Sequence, residues 1–337
     1  MSSLHTHGGG SSAHLLPLNE MIARWRDLPR RRPAAPRYLL QGERILQRFV
    51  GFVQDQFPDI RGMGDVTPII TREFMKEEER RRVSSKTYNN NLILLRSCFT
   101  KVGKEIGLRD NPFFDIPPRD EEPVLRQPYS EEELAVILEA AKGDPFIYPI
   151  IVTAACTAMR RGDCCLLEKS AVDLDADFLR VKTAKTGEWV EIPIFPMLRQ
   201  VLLNAEANNA SPYMFPRQAA QYIQNPDRIT EMAGRVLRKA GFTDSGEMPA
   251  GGHGQPRGPL RGPRQVGVRR ASLRDFHSFR VTWVTLALVA GVPIEVVKKV
   301  TGHRTVEVVM RHYFRPGREE MRQTLKSRMP AVLTGHV

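Results

Sequence analysis

Apolar residues recur at helical spacing through the first third of the chain. Between 38 and 57, Ile45, Phe49, Phe52 and Val53 fall on one stripe. A short amphipathic helix precedes it at 19–28. Thr67 followed by Pro68 predicts a capped helix start, running through Phe74 to the charged stretch 77–82. Ser84 or Ser85 opens another helix, with Leu92, Leu95, Phe99 and Val102 on its stripe. Residues 116–129 hold four prolines and no apolar period, which predicts an extended linker. Helical patterning then resumes. Ser130 and Glu133 form a capping box, an apolar helix covers about 146–156, and a second runs from Thr157 towards Glu168. The period changes to two only at 178–184 and 189–194. These runs flank Lys185-Thr186-Gly187, a hairpin in which Gly supplies the positive φ of the turn. Helices return from about Met197. Ser272 to Asp275 reads as a second capping box, Pro293 opens a helix that ends at Gly302, and 305–314 and 317–329 close the pattern.

The fold class expected is therefore mainly α with a small antiparallel sheet. Four segments are expected: a disordered tail at 1–14, an all-helical domain at 15–115, the linker at 116–129 and an α+β domain at 130–331. Residues 245–270, with seven Gly, four Pro and five Arg, predict a flexible basic loop that buries no core.

Charge narrows the partners. The 337 residues carry 50 Lys and Arg against 38 Asp and Glu, a formal charge of +12. Such an excess favours a polyanion, because each neutralised phosphate releases condensed counterions. No apolar run of about 18 residues predicts a membrane span. Cys98, Cys156, Cys164 and Cys165 lie in apolar helical contexts with no CxxC pair, and read as reduced, buried hydrophobes of a cytoplasmic protein.

Several short segments carry chemistry. Arg160, in Thr157-Ala-Met-Arg160-Arg-Gly-Asp163, follows directly on an apolar helix. Alone it reads as a salt bridge to Asp163. Lys185 at the hairpin tip reads alone as a solvated turn residue. His277 and Arg280, three apart on a helix, project from one face, with Phe279, Trp283 and Leu286 on the other. Val300-Thr-Gly-His303 is a Gly-terminated helix followed by a histidine, and Tyr313 sits in Met-Arg-His-Tyr-Phe.

In this order the segments resemble the tyrosine recombinase (phage integrase) family over roughly 130–330. The helical first domain resembles the family's core-binding domain by pattern rather than by motif. Arg160 matches the arginine of T-G-x-R-x-x-E/D, Lys185 the hairpin lysine, His277 and Arg280 the H-x-x-R box, His303 the histidine of L-G-H, and Tyr313 the nucleophile. Three departures stand out. Ala158 replaces a glycine, 245–270 looks like an insertion, and Tyr313 lies one residue further from His303 than the family's usual spacing. One residue turns a continuous helix by about 100°, so a loop or bulge is expected to restore the aim of Tyr313.

The resemblance implies a site-specific integrase that breaks and rejoins DNA through a 3′-phosphotyrosyl bond at Tyr313, without metal, cofactor or ATP. Arg160 and Arg280 would clamp the phosphate, His303 would donate one more hydrogen bond, His277 would favour ionisation of Tyr313, and Lys185 would protonate the leaving 5′ oxygen. The implied partner is double-stranded DNA, engaged by a homotetramer on paired sites, with accessory DNA-bending proteins, in a nucleoid-associated setting typical of a mobile element. Lys86, Asn89, Asn90, Arg96 and Lys101 are candidate DNA contacts of the first domain, and each equally fits a solvated helix face. Met321, Leu325 and Met329 fit docking of the last helix on a neighbouring protomer or packing at home. Two alternatives stay open: a type IB topoisomerase, against which His277 argues, and a non-catalytic DNA-binding protein on the same fold.

Overall fold

The computed structural model describes residues 16–317 except 32, 122, 185, 207–209, 245–256 and 263–269, together with 321, 322, 324 and 327. The chain divides between Pro123 and Val124 into two compact units.

The first unit is all-helical: α1 (Leu18–Asp27), α2 (Pro36–Gln56), α3 (Pro68–Arg80) and α4 (Ser85–Glu105). The stripes read from the sequence are its core. Phe49 meets Phe74, Phe99 and Phe113 with ring centroids 5.1, 5.7 and 5.5 Å apart, in edge-on geometry that suits the aromatic quadrupole. Ser84 caps α4 by accepting the Thr87 N–H at 3.2 Å. Thr67 precedes α3 but makes no side-chain capping bond. The preset φ of Pro68 at the first helical position starts that helix. One feature is invisible to periodicity: Glu78, 1% exposed, accepts bonds from Arg48, Arg81 and Asn91. Burial raises its pKa, but the two guanidinium bonds outweigh that and hold it below the ordinary carboxylate value.

The second unit begins with α5 (Glu131–Lys142), whose Ser130–Glu133 capping box is formed on both sides. There follow α6 (Tyr148–Thr157), α7 (Arg161–Cys165) and a three-stranded antiparallel sheet of β1 (Val172–Asp173), β2 (Phe178–Lys182) and β3 (Trp189–Pro193). Val181 pairs with Val190 and Leu179 with Ile192, so one register puts the apolar residues of both strands on the core face. Then come α8 (Pro196–Glu206), α9 (Pro216–Gln224), α10 (Pro226–Lys239), α11 (Ser278–Val289), α12 (Ile294–Thr301) and α13 (Val306–His312). The molecule is thus mainly helical with a small antiparallel sheet, as expected. No helix among the described residues is long and apolar enough to cross a membrane.

Three expectations change. The helix after Thr157 stops at Cys165 rather than near Glu168, since a one-turn 3₁₀ segment at Lys169–Ala171 and β1 follow at once. Residues 257–262 do pack. Leu260 is buried in the core, its N–H donates to Thr243 C=O at 2.7 Å, and Arg257 donates to Ala240 C=O. Among these residues the Gly and Pro allow a tight course rather than freedom, because the backbone finds partners. The capping box at Ser272 is absent. The N–H groups of Leu273 and Arg274 both go to Leu260 C=O, which commits that backbone to the 257–262 segment and delays the helix to Ser278. The tail at 1–14 and most of the expected helix at 317–329, with Leu325 and Met329, lie outside the described residues, and Met321 is exposed.

Candidate active site

Five of the six candidate catalytic residues converge, each delivered by a different local device. Arg160 sits between α6 and α7. Helix α6 ends in Ala158, which adopts φ +57°, the left-handed cap that usually selects glycine. Ala158 thus makes this left-handed turn without glycine, and its carbonyl accepts Arg280 Nη1 at 2.7 Å.

Arg280 lies on α11, 2% exposed. Its Nη2 donates to Thr301 C=O at 2.6 Å and to His303 Nε2 at 2.8 Å. Burial, then the nearby Arg160 charge, pulls its pKa down to about 10, so it remains a cation.

His303 follows Gly302, the left-handed cap of α12 at φ +65°. Because Arg280 can only donate, His303 Nε2 is the acceptor and its proton sits on Nδ1. Nδ1 donates to Thr301 Oγ1 at 2.7 Å, and that hydroxyl donates in turn to Val297 C=O at 2.6 Å. The expected phosphate donor is thus an acceptor in this arrangement. Thr301, which fixes that tautomer, was not singled out in the sequence, although the string Thr-Gly-His carried it.

His277 is the residue before α11 rather than part of its face, again because the helix starts late. Asp275 Oδ1 accepts the His277 backbone N–H at 2.8 Å. Its Nε2 lies 3.3 Å from Tyr313 Oη. Burial, with the Arg280 charge among the further causes, takes both His277 and His303 down to about 3, so both are neutral near pH 7.

That gives a sign for acid. The unfolded chain protonates these histidines below about pH 6.5, while the folded chain resists until about pH 3. Stability is therefore lost as pH falls through that window. The share from His303 should reach about 2 kcal/mol at pH 5. In melting curves from pH 7.5 to 5, His303→Gln should flatten the decline; an unchanged slope would remove His303 from it.

Tyr313 is half-buried. Its ring centroid lies 4.4 Å from that of His303 and 5.3 Å from the Arg280 guanidinium carbon. Helix α13 begins after His303, behind its cap Thr305, and ends at His312, so Tyr313 lies just past it at φ −125°. The extra residue is absorbed because no single helix joins the two, as the spacing required.

Arg160 completes the cluster electrostatically, its charge acting on His277, Arg280 and His303 alike. Four guanidinium nitrogens of the described residues are buried without a hydrogen-bond partner, and two of them, Arg160 Nη1 and Arg280 Nε, belong to this cluster; the others are Arg270 Nε and Arg274 Nε. The salt bridge to Asp163 that Arg160 alone suggested is not among the ion pairs formed by the described residues. Asp163 instead accepts the Ala184 N–H at 3.1 Å, which ties the hairpin turn to α7. Lys185 itself lies outside the described residues. Its turn is closed by Gly187, at φ +72°, donating to Thr183 C=O.

Among the candidate DNA contacts, Lys86, Asn90 and Lys101 are exposed on α4. Asn89 is buried, bonding both N–H and C=O of Arg119 and the Glu121 carboxylate. Arg96 donates to the carbonyls of Phe113, Phe114 and Ile116. Both side chains fasten residues 113–121 to α4.

No protein-family model and no curated protein sequence matches the chain. Solved structures do. A lambda integrase dimer bound to a COC′ core site aligns with a TM-score of 0.65 at 15% identity, over 91% of this chain and 80% of that one. A lambda integrase tetramer bound to a Holliday junction gives 0.64 at 15% identity, over 90% and 83%. The Tn1549 transposon integrase in complex with circular intermediate DNA gives 0.58 at 15% identity, over 92% and 99%. At such identity the likeness is one of fold, and the chain has the fold of the tyrosine recombinases.

Proposed function

We propose that this chain is a site-specific tyrosine recombinase that breaks and rejoins double-stranded DNA. The observation that carries the reading is the pair of buried, unpartnered N–H donors on Arg160 and Arg280, beside a tyrosine hydroxyl that faces His277. Unpaired buried donors cost about 1–3 kcal/mol each, more when charged. An anionic oxygen that meets them removes that cost, and phosphate offers several in the right geometry.

Tyr313 Oη attacks phosphorus as its proton passes to His277 Nε2. The bond from phosphorus to O5′ breaks, and O5′ takes a proton from Lys185. Neutral His277 is free to accept, and the phosphate charge raises its basicity once present. The same charge favours His303 as a cation, turning Nε2 into a donor and releasing Arg280 towards the phosphate. The phosphotyrosyl bond conserves the energy, so a 5′-hydroxyl of another duplex reseals it without ATP. By analogy with the tetramer on a Holliday junction, four copies act on paired sites, in the cytoplasm at the nucleoid, with accessory bending proteins. Lys86, Asn90 and Lys101 are the first unit's DNA contacts.

The test is a nicked suicide duplex built from short repeats flanking the coding region. Wild-type protein should form an SDS-resistant adduct on it. Relaxation of supercoils by a monomer without strand exchange would favour a type IB topoisomerase instead. Lys185→Ala should slow cleavage by about 10²–10⁴-fold. A 5′-bridging phosphorothioate, whose thiolate leaves without a proton, should restore the rate; no restoration removes Lys185 from the acid role.

A further inference from the structure

The chain around Tyr313 has no helix to hold it, since α13 ends at His312. The Tyr313 and Phe314 N–H groups both turn back to Val309 C=O. The other side of the segment is fixed by one hydroxyl on α11. Thr285 Oγ1 donates to Tyr313 C=O at 2.9 Å and accepts the Arg315 N–H at 3.1 Å. Thr285 itself is 3% exposed, and both of its bonds are part-buried. Arg315 then winds back on α13, donating to the carbonyls of Met310, Arg311 and Phe314.

The behaviour of the other helical threonines sharpens the point. A threonine inside a helix commonly bonds the carbonyl one turn back. Thr153, Thr157, Thr282 and Thr301 do so here, while Thr71 bonds Pro68 C=O and also reaches Pro112 C=O. Thr285 donates instead across 28 residues to the backbone of Tyr313. It also sits on the helix that carries Arg280, whose guanidinium lies 5.3 Å from the Tyr313 ring centroid.

From this geometry we infer that Thr285 is a positioning residue that locks the Tyr313 segment to the helix bearing Arg280 and so sets the aim of the nucleophile. The inference rests on the reading of Tyr313 as nucleophile. Misplacing a reacting atom by about 1 Å costs on the order of 10²-fold in rate. The lock therefore acts on the chemical step and leaves DNA affinity alone.

Thr285→Val keeps the shape and removes the hydroxyl; Thr285→Ser keeps the hydroxyl and removes a methyl. Single-turnover cleavage is measured on the nicked suicide duplex at saturating DNA, beside the Kd for that duplex and the melting temperature. Wild-type protein and Tyr313→Phe serve as controls. Thr285→Val should cleave about 10–100-fold more slowly with an unchanged Kd, and Thr285→Ser should stay within about threefold of wild type. Thr285→Ala should follow Thr285→Val, and replaces it if Val does not fold. The inference is overturned if Val and Ala cleave at the wild-type rate. Equal losses for Val and Ser, tracking their melting temperatures, overturn it too by assigning Thr285 to the fold alone. If wild-type protein forms no adduct, or Tyr313→Phe does, the nucleophile reading fails first and takes this one with it.

Discussion

Replacing Tyr313 by phenylalanine should abolish the covalent protein–DNA adduct while leaving DNA binding and the fold intact. The change removes one oxygen. What that oxygen contributes structurally is a 3.3 Å contact with His277 and an interaction with the Arg280 side chain, so the stability cost is about 1–2 kcal/mol. The ring itself remains, packed beside Val309 and stacked near His303 and the Arg280 guanidinium. The cationic donors also remain, so the affinity for the nicked duplex should be unchanged within about twofold. Chemistry is another matter. Among the described residues no other hydroxyl bonds His277, and the water route lacks both the positioning and the covalent intermediate. The adduct should fall by at least about 10⁴-fold, below detection on a denaturing gel. A variant that still traps the duplex at the wild-type yield would end the assignment of Tyr313. A wild-type chain that binds the duplex and never traps it would return the protein to the non-catalytic class.

Much of this site was legible in the sequence, because the chemistry is concentrated in residues with fixed local settings. Gly302 demands a helix end before His303, Gly187 demands a turn beside Lys185, and the Ser130 box demands a helix. Core stripes on α2 and α4 follow from a period that burial enforces. Most of the failures share a cause. Side chains and backbone groups were assigned to their nearest neighbours in sequence, and the fold gave them distant partners. Ser272 looks like a cap, but the N–H groups at 273 and 274 bond to Leu260, and His277 ends up before its helix. Asn89 and Arg96 look like exposed DNA contacts on a helix, yet they bond the 113–121 backbone. The basic loop at 245–270 looks incapable of packing, yet Leu260 lies in the core. The roles of Thr285 and Asp163 were hidden for the same reason, since each bonds a backbone group far away in sequence.

Arg280→Lys separates charge from direction at the phosphate. The substitution keeps one positive charge near Tyr313 and removes the planar fork. In the native site the two terminal nitrogens serve Ala158 C=O, Thr301 C=O and His303 Nε2, and Nε is left without a partner. A lysine ammonium has three donors on a flexible stem and cannot hold all three acceptors while still presenting one N–H outward. At least one buried carbonyl goes unpaired, which costs about 1–3 kcal/mol of stability. The larger loss is in the transition state. A preorganised donor aimed at developing phosphoryl charge is worth about 10²–10³-fold in rate, and the freed His303 also loses the partner that orients it. Cleavage of the suicide duplex should therefore drop by about 10³-fold, with DNA affinity and its salt dependence unchanged because the net charge is the same. Arg280→Ala should fall further and bind less tightly. The two variants thus predict different pairs of numbers, rate and affinity. If Arg280→Lys cleaves within threefold of wild type, directional donation from this side chain is not what stabilises the reaction. The buried unpaired N–H groups would then need another explanation.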